Sequence, residues 1–543
     1  MTIKLVKTTP FYDQNPGTSG LRKKVTSFQS PHYLENFIQA IFDSCGSIKD
    51  QLLILGGDGR TYSREAIQII AKMAAANGFG RLKIARHGLL STPAASHLIR
   101  KYGAHSGIIL SASHNPGGPR GDFGIKYNID NGGPAPEKVT QAIFERTKNL
   151  THYKTLEASA INIDQLGQTC LGSMAVEIID PVKDYADLME SLFDFDQIRT
   201  AIKRGLTFAF DAMHAVTGPY AEEIFLNRLG FPKESILRAL PLEDFGGHPP
   251  DPNPTHAHSL YAMMMHPQAP DLGAASDGDG DRNLILGREQ FVSPSDSLAI
   301  IAANAAFIKA YATGFNGIAR SMPTSQAIER VAQKQGVSVF ETPTGWKFFG
   351  NLMDHGLVDL CGEESFAQGG NHIREKDGLW AILFWLNLLA VRKISVKAIV
   401  KDHWRTYGRT YYSRHDYEGI DNTAAEAIIN HLRAQLPNLK GQILLGFKVE
   451  EADDFCYHDV TDGSQSPHQG IRILFSQGAR IVYRLSGTGT KGATLRIYLE
   501  RFESDPNAQE KETQNVLEPL ILLAQEWAAL PYYLGRTDAD VII

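Results

Sequence analysis

Three carboxylates stand at every second position in Asp277-Gly278-Asp279-Gly280-Asp281, and Arg282 follows. Glycines between acids let the chain turn so that the oxygens converge, and hard oxygen ligands suit Mg²⁺ or Ca²⁺. Without a cation, three close carboxylates repel one another. A solvated acidic turn is the plain alternative. An EF-hand is excluded, because Arg282 and Arg288 stand where that loop needs Gly and Glu. Three carboxylates leave coordination positions open on Mg²⁺, which takes six oxygens and often shares one with a phosphate.

A second loop, Ser111-Ala112-Ser113-His114-Asn115-Pro116-Gly117-Gly118, is built from small, turn-forming residues. It displays Ser113, either as a reactive group or as part of a solvated turn. A hydrolase nucleophile is disfavoured, because no G-x-S-x-G surrounds it. A phosphate on Ser113 would supply the missing metal ligand, and the cation would act as a Lewis acid on the transferring group. Arg282 would add positive charge to the same transition state. Lys126 is a candidate for proton transfer or phosphate binding, although any single lysine is more often a surface charge.

A third loop, Cys361-Gly362-Glu363-Glu364-Ser365-Phe366, pairs carboxylate with hydroxyl, a natural match for sugar hydroxyls that both donate and accept. Pro343-Thr344-Gly345-Trp346-Lys347 and Arg374-Glu375-Lys376-Asp377 supply further polar groups. Trp346 either borders a sugar or fills a core. The fourth loop, residues 484–492, contains Gly487, Gly489 and Gly492 in a literal G-x-G-x-x-G. A dinucleotide fingerprint opens a helix, whereas residues 493–499 read as a strand. What remains is a nest of backbone N–H groups and hydroxyls beside Arg484, Lys491 and Arg496, suited to phosphate. No nucleotide triphosphatase motif is present.

These loops need elements to hold them. Strand-like runs at 52–55, 82–85 and 107–110 alternate with a helical pattern over 63–77. Such alternation predicts α/β domains with mixed or parallel sheets and chemistry past the carboxyl ends of strands. The pattern restarts near Leu206 and Leu298, and the strand-like run 272–275 leads into the acidic loop. The last quarter carries strand-like runs 471–475, 480–483 and 494–499 and a helix over about 510–528, as in an α+β domain. A chain of 543 residues exceeds one hydrophobic core. We expect four domains, 1–190, 191–290, 291–405 and 406–543, the first three similar α/β domains and the last a smaller α+β one.

The formal net charge of -6 argues against a nucleic-acid partner. Four widely separated cysteines suit a reducing compartment and form no zinc pattern. No signal peptide is expected. The apolar run 379–391 is too short for a membrane span and reads as a buried helix.

The four loops, in this order, resemble the α-D-phosphohexomutase family. Gly17-Thr18-Ser19-Gly20-Leu21-Arg22 is similar to that family's N-terminal active-site segment. Residues 343–354 (PTGWKFFGNLMD) and 372–380 (HIREKDGLW) resemble its branch acting on glucose phosphates. The resemblance implies four domains around one cleft, each contributing a loop. Ser113 would carry phosphate, with Arg22, His114 and Lys126 around it. Asp277, Asp279 and Asp281, joined by the phosphate on Ser113, would bind Mg²⁺. Thr344, Gly345, Glu363 and Ser365 would hold the sugar. Arg484, Ser486, Thr488 and Arg496, with Lys376 nearby, would hold the non-reacting phosphate. The implied reaction interconverts glucose 1-phosphate and glucose 6-phosphate through glucose 1,6-bisphosphate. The implied enzyme is cytoplasmic, a monomer or weak homodimer, with a phosphorylated hexose as partner and neither nucleic acid nor membrane.

Two departures stand out. Ser111 replaces the more common Thr, and Ala367-Gln368-Gly369-Gly370-Asn371 replaces G-T-G-S-D beside the sugar loop. The alternatives are a phosphomannomutase-like or dual-specificity enzyme, a glucose-1,6-bisphosphate synthase, and a non-catalytic relative. Intact Ser113 and aspartates argue against the last.

Overall fold

The computed structural model describes residues 2–486 and 492–543. They form two compact units. The first comprises residues 1–294, 304–315 and 345–397, and the second 295–303, 316–344 and 398–543.

The first unit holds a seven-stranded mixed sheet. Its order is Leu21–Lys24, Asp122–Ile129, Ser106–Leu110, Leu52–Gly57, Arg81–Leu89, Met174–Ile179, Gly167–Leu171. The four strands from Ser106–Leu110 to Met174–Ile179 run parallel, and antiparallel strands close both sides. Strand Leu52–Gly57 is buried throughout, as a central parallel strand covered on both faces must be. Side chains alternate across it. Leu53 and Leu55 share a core with Ile67 and Ile70 of the helix Ser63–Asn77, and Ile54 meets Ile99 over Gly107. That helix ends where Gly78 turns left-handed, φ 102°. The helix Thr92–Tyr102 starts where the Ser91 hydroxyl accepts the Ala94 N–H at 3.2 Å.

A five-stranded sheet follows in the order Ile236–Leu237, Phe208–Asp211, Leu272–Ser276, Asn283–Gly287, Gln290–Val292. Its first three strands are parallel, and the last two are antiparallel hairpin partners. The acidic loop is the turn between Leu272–Ser276 and Asn283–Gly287. The same unit contains the hairpin Leu360–Glu363 with Ala367–Gly370. Its helix Gly378–Arg392 is apolar all round and almost wholly buried. No single described helix is long and apolar enough to cross a membrane.

In the second unit, Gly317–Ser321 and Ser338–Thr342 pair in parallel beside the helix Ala327–Gln335. The C-terminal portion is a seven-stranded antiparallel sheet from Ile443–Leu444 to Val541–Ile542, with the long pair Ala479–Ser486 and Ala493–Glu503 inside it. Helices Asn422–Leu439 and Thr513–Trp527 pack on it through one core. The first of these helices was missed at the sequence level. Its signal was present: Asp421 caps it, and Ala425, Ile428 and Leu432 repeat at helical spacing on the buried face.

Candidate active site

Ser113 lies in a turn within the loop 111–121, which links the parallel strand Ser106–Leu110 to the antiparallel strand Asp122–Ile129. Its backbone is left-handed, φ 53°, and the residue is buried. Its Oγ donates to Asp277 Oδ2 at 2.7 Å and lies 3.4 Å from His114 Nδ1. The serine loop and the acidic loop therefore meet. Gly278 permits the approach: a Cβ there would stand 2.3 Å from the Ser113 carbonyl oxygen.

Asp277, Asp279 and Asp281 are buried, and one ligand oxygen from each lies within 4.8 Å of the others. Lys126 Nζ donates to Asp279 Oδ2 at 2.5 Å and Asp281 Oδ2 at 3.0 Å. Lys376 Nζ is 3.3 Å from Asp281 Oδ2, and Thr92 Oγ1 donates to Asp279 Oδ2 at 2.5 Å. The opposite oxygens, Oδ1 of Asp279 and of Asp281, are buried and accept no hydrogen bond among the described residues. Orphaned carboxylate oxygens on two aspartates beside a third fit a hard divalent cation.

The electrostatics agree. Burial, then Asp281 and Asp279, push the Asp277 carboxyl well above the usual range. Burial acts the same way on Asp279, but Lys126 outweighs it and holds that carboxyl low. Burial opposes the Lys126 charge, yet Asp279, Asp281 and Glu375 raise the lysine above its ordinary value. Lys126 is thus held protonated. Half-buried Arg22 is pushed down by burial and by Arg282 and drawn up by Asp279 and Asp281, which places it in the same cluster. Arg282 donates its backbone N–H to Asp277 Oδ1 at 3.0 Å. Its side chain lies 3.6 Å from Asp251, and its buried Nε has no partner among the described residues, which suits an anion.

The sugar-loop residues sit on the hairpin rather than in a free loop. Glu363 ends its strand opposite Ala367, and its Oε1 accepts the Gly345 N–H at 2.8 Å. Ser365 is half-buried at the turn. Gln368, one of the departures, accepts from Asn283 Nδ2 at 2.7 Å, and Phe366 O accepts the Asn283 N–H at 2.8 Å. The hairpin is thereby tied to the strand leaving the acidic loop. Gly378, which begins the following helix, also meets the acidic loop: its N–H donates to the Gly280 carbonyl oxygen at 3.1 Å, and a Cβ there would lie 2.1 Å from the Arg282 carbonyl oxygen. Trp346 is core, packed edge-on against Phe349.

Thr344 belongs to the second unit, and its hydroxyl is buried without a partner among the described residues. Arg484 and Arg496 also lie there, directly opposite each other across paired strands. Two like charges in that register are unfavourable by themselves and suit a bound anion. Arg484 Nη1 donates to the Tyr498 hydroxyl at 3.3 Å, and Arg496 Nε is 3.6 Å from Asp416. Ser486 ends the first of these strands opposite Thr494. Thr488 falls outside the described residues.

Several residues in this network were not singled out from sequence. Glu375 is buried, accepts from Asn128 Nδ2 at 2.9 Å, and is pushed up to about 7, chiefly by burial. Thr92, Asp251, Asp58 and Arg60 are others. Asp58 and Arg60 had a visible signal, the Gly-Gly-Asp-Gly-Arg run that ends a strand.

Comparison with known proteins identifies the family. Residues 13–154, 183–290 and 294–407 match phosphoglucomutase/phosphomannomutase alpha/beta/alpha domains I, II and III. Residues 409–540 match the phosphoglucomutase-1 C-terminal domain. A phosphoglucomutase of Rhizobium radiobacter is 58% identical over 540 residues, covering 99% of this chain and 100% of that one. One from Schizosaccharomyces pombe is 50% identical over 553 residues, with 99% and 100% coverage. The open form of the Paramecium exocytosis-sensitive phosphoprotein pp63/parafusin, a phosphoglucomutase, superposes with a TM-score of 0.92 at 47% identity, covering 100% of this chain and 99% of that one. Matched along nearly its whole length, the chain belongs to the phosphoglucomutases of the α-D-phosphohexomutase family.

Proposed function

We propose that this phosphoglucomutase interconverts glucose 1-phosphate and glucose 6-phosphate by carrying the transferred phosphate on Ser113. The observation that supports this most directly is Ser113 Oγ aimed at Asp277, in a buried cluster of three aspartates, two of which have an unsatisfied oxygen among the described residues.

Asp277, Asp279, Asp281 and the phosphate on Ser113 would hold Mg²⁺, which when bound supplies Lewis-acid stabilisation to phosphoryl oxygens. The chain's own groups do the rest. In the first transfer the bond from phosphorus to Ser113 Oγ breaks and a bond to the sugar 6-oxygen forms. A proton passes, in net terms, from the 6-hydroxyl to Ser113 Oγ. Lys126, held protonated by Asp279 and Asp281, suits the donor's part in that exchange. Arg282, Arg22 and His114 contribute positive charge or hydrogen bonds around the transferring group. Glu363 and Ser365, with Thr344 and Gly345, read the sugar hydroxyls. Arg484, Ser486, Thr488 and Arg496, with Lys376, hold the phosphate that is not reacting. The resulting glucose 1,6-bisphosphate reorients, and its 1-phosphate returns to Ser113.

We assign the domain divisions near 190, 290 and 405. We place the enzyme in the cytoplasm, a compartment consistent with its four unpaired cysteines.

Intact mass before and after incubation with glucose 1,6-bisphosphate tests the reading. One added phosphate mapped to Ser113 is expected, and phosphate on another residue would overturn it. Glucose 1-phosphate should exceed mannose 1-phosphate in kcat/KM, and equal values would remove the substrate assignment.

A further inference from the structure

Ser113 holds a left-handed backbone that a residue with a side chain adopts only under constraint. The constraint is visible on both sides of the residue. On one side, the Ser113 N–H donates to Ser111 Oγ at 2.7 Å, and that hydroxyl donates to Asp58 Oδ2 at 2.6 Å. On the other, Arg60 Nη2 donates to the Ser113 carbonyl oxygen at 2.7 Å. Asp58 and Arg60 are themselves an ion pair, 2.9 Å apart, with both side chains 0% exposed. Arg60 Nη1 also donates to the Asp122 carbonyl oxygen at 2.8 Å, where the serine loop rejoins the sheet. A single buried ion pair therefore governs both backbone polar groups of the serine.

We propose that Arg60, acting on the Ser113 carbonyl, and Asp58, acting through the Ser111 hydroxyl, are positioning residues that hold Ser113 in the turn directing its Oγ at Asp277. Neither residue touches the reacting atoms. A buried ion pair is a weak source of stability compared with apolar packing, so its value here lies in direction. A planar guanidinium meets a carboxylate and a carbonyl in fixed geometry, which a lysine cannot reproduce. Ser111 supplies the hydroxyl that the relay needs, and a threonine would offer the same group.

This inference rests on Ser113 being the phosphate carrier. The test compares S111A, S111T, R60K and S113A with the parent enzyme. It reads kcat and KM for glucose 1-phosphate, phosphate on the protein after incubation with glucose 1,6-bisphosphate, and Tm. S111A should lower kcat about 10- to 100-fold, because small displacements of a reacting group are that costly. KM should stay within about twofold, as expected when transition-state alignment alone is lost. S111T should recover most of the rate, and R60K should lose about 100-fold. If R60K does not fold, S111A decides, since it alters no charge. Parental kcat in S111A, a loss seen in KM alone, or an S111T no better than S111A would overturn the inference. S113A separates the two claims. If S113A still takes up phosphate, the carrier assignment fails. If S113A is inert while S111A and R60K turn over normally, only the positioning role fails.

Discussion

Ser113 Oγ and Asp277 Oδ2 are joined by a 2.7 Å hydrogen bond across 164 residues of sequence. The bond brings the Ser113 loop to the acidic loop of Asp277, Asp279 and Asp281. Replacing Ser113 by Ala removes the hydroxyl proposed to carry the phosphate. Turnover should fall by at least about 10⁴-fold with Tm little changed. Steady-state kinetics and intact mass check this.

Chelation should stop catalysis while leaving most of the fold in place. The three aspartates lie on one turn between two paired strands, and Lys126 and Lys376 already balance part of their charge. Readdition of Mg²⁺ should restore activity and raise Tm in a concentration-dependent way, because a ligand that binds only the folded state stabilises it by mass action. Thermal melts across a Mg²⁺ titration give the readout. Global unfolding on chelation would instead mark a structural metal.

Glu375 should make stability pH-dependent. Its carboxyl is raised from 4.5 to about 7 in the folded protein, chiefly by burial. Between these values the folded state keeps a proton that the unfolded chain releases. Its contribution is therefore full below about pH 4.5 and declines as pH rises, disappearing above about 7. The total is on the order of 3 kcal/mol. Glu375→Gln cannot ionise, so its Tm relative to the parent should rise from pH 5 to about 7 and level off by pH 8. Melts of both chelated proteins across that range decide the point, and a flat difference would count against it.

Arg480 should be a stability residue without a part in the chemistry. It is paired with Glu500 at 2.7 Å, with side chains 2% and 1% exposed, and donates to the Met322 carbonyl oxygen at 2.7 Å and that of Thr324 at 2.9 Å. Arg480→Ala strands a buried carboxylate and should cost about 3–5 kcal/mol. Arg480→Met combined with Glu500→Leu should recover part of the loss, as measured by urea midpoints.

Much of the fold was legible because local pattern decided it. The helix Ser63–Asn77 and the strand Ile471–Phe475 match their expected ends, since apolar spacing and a terminal glycine mark them within a few residues. The helix Asn422–Leu439 shows the opposite case: its cap and periodicity are present in the sequence, yet it is not among the expected elements. Glu363 was expected in a loop and instead ends a strand, because pairing with Ala367 extends the sheet through residues without strand character.

By itself the sequence determined the chemistry on offer. Each loop is contiguous, so residue type and spacing alone offer the carboxylates, the serine, a carboxylate–hydroxyl pair and a glycine-rich run as candidates. Only the tertiary structure decided how they are used. It directs the Oδ2 atoms of Asp279 and Asp281 toward Lys126 and leaves their Oδ1 atoms unsatisfied. It sets Arg60 against the backbone of a serine 53 residues away, and Glu375 against an asparagine 247 residues away. These relations depend on burial and on partners remote in the chain, and local spacing carries neither.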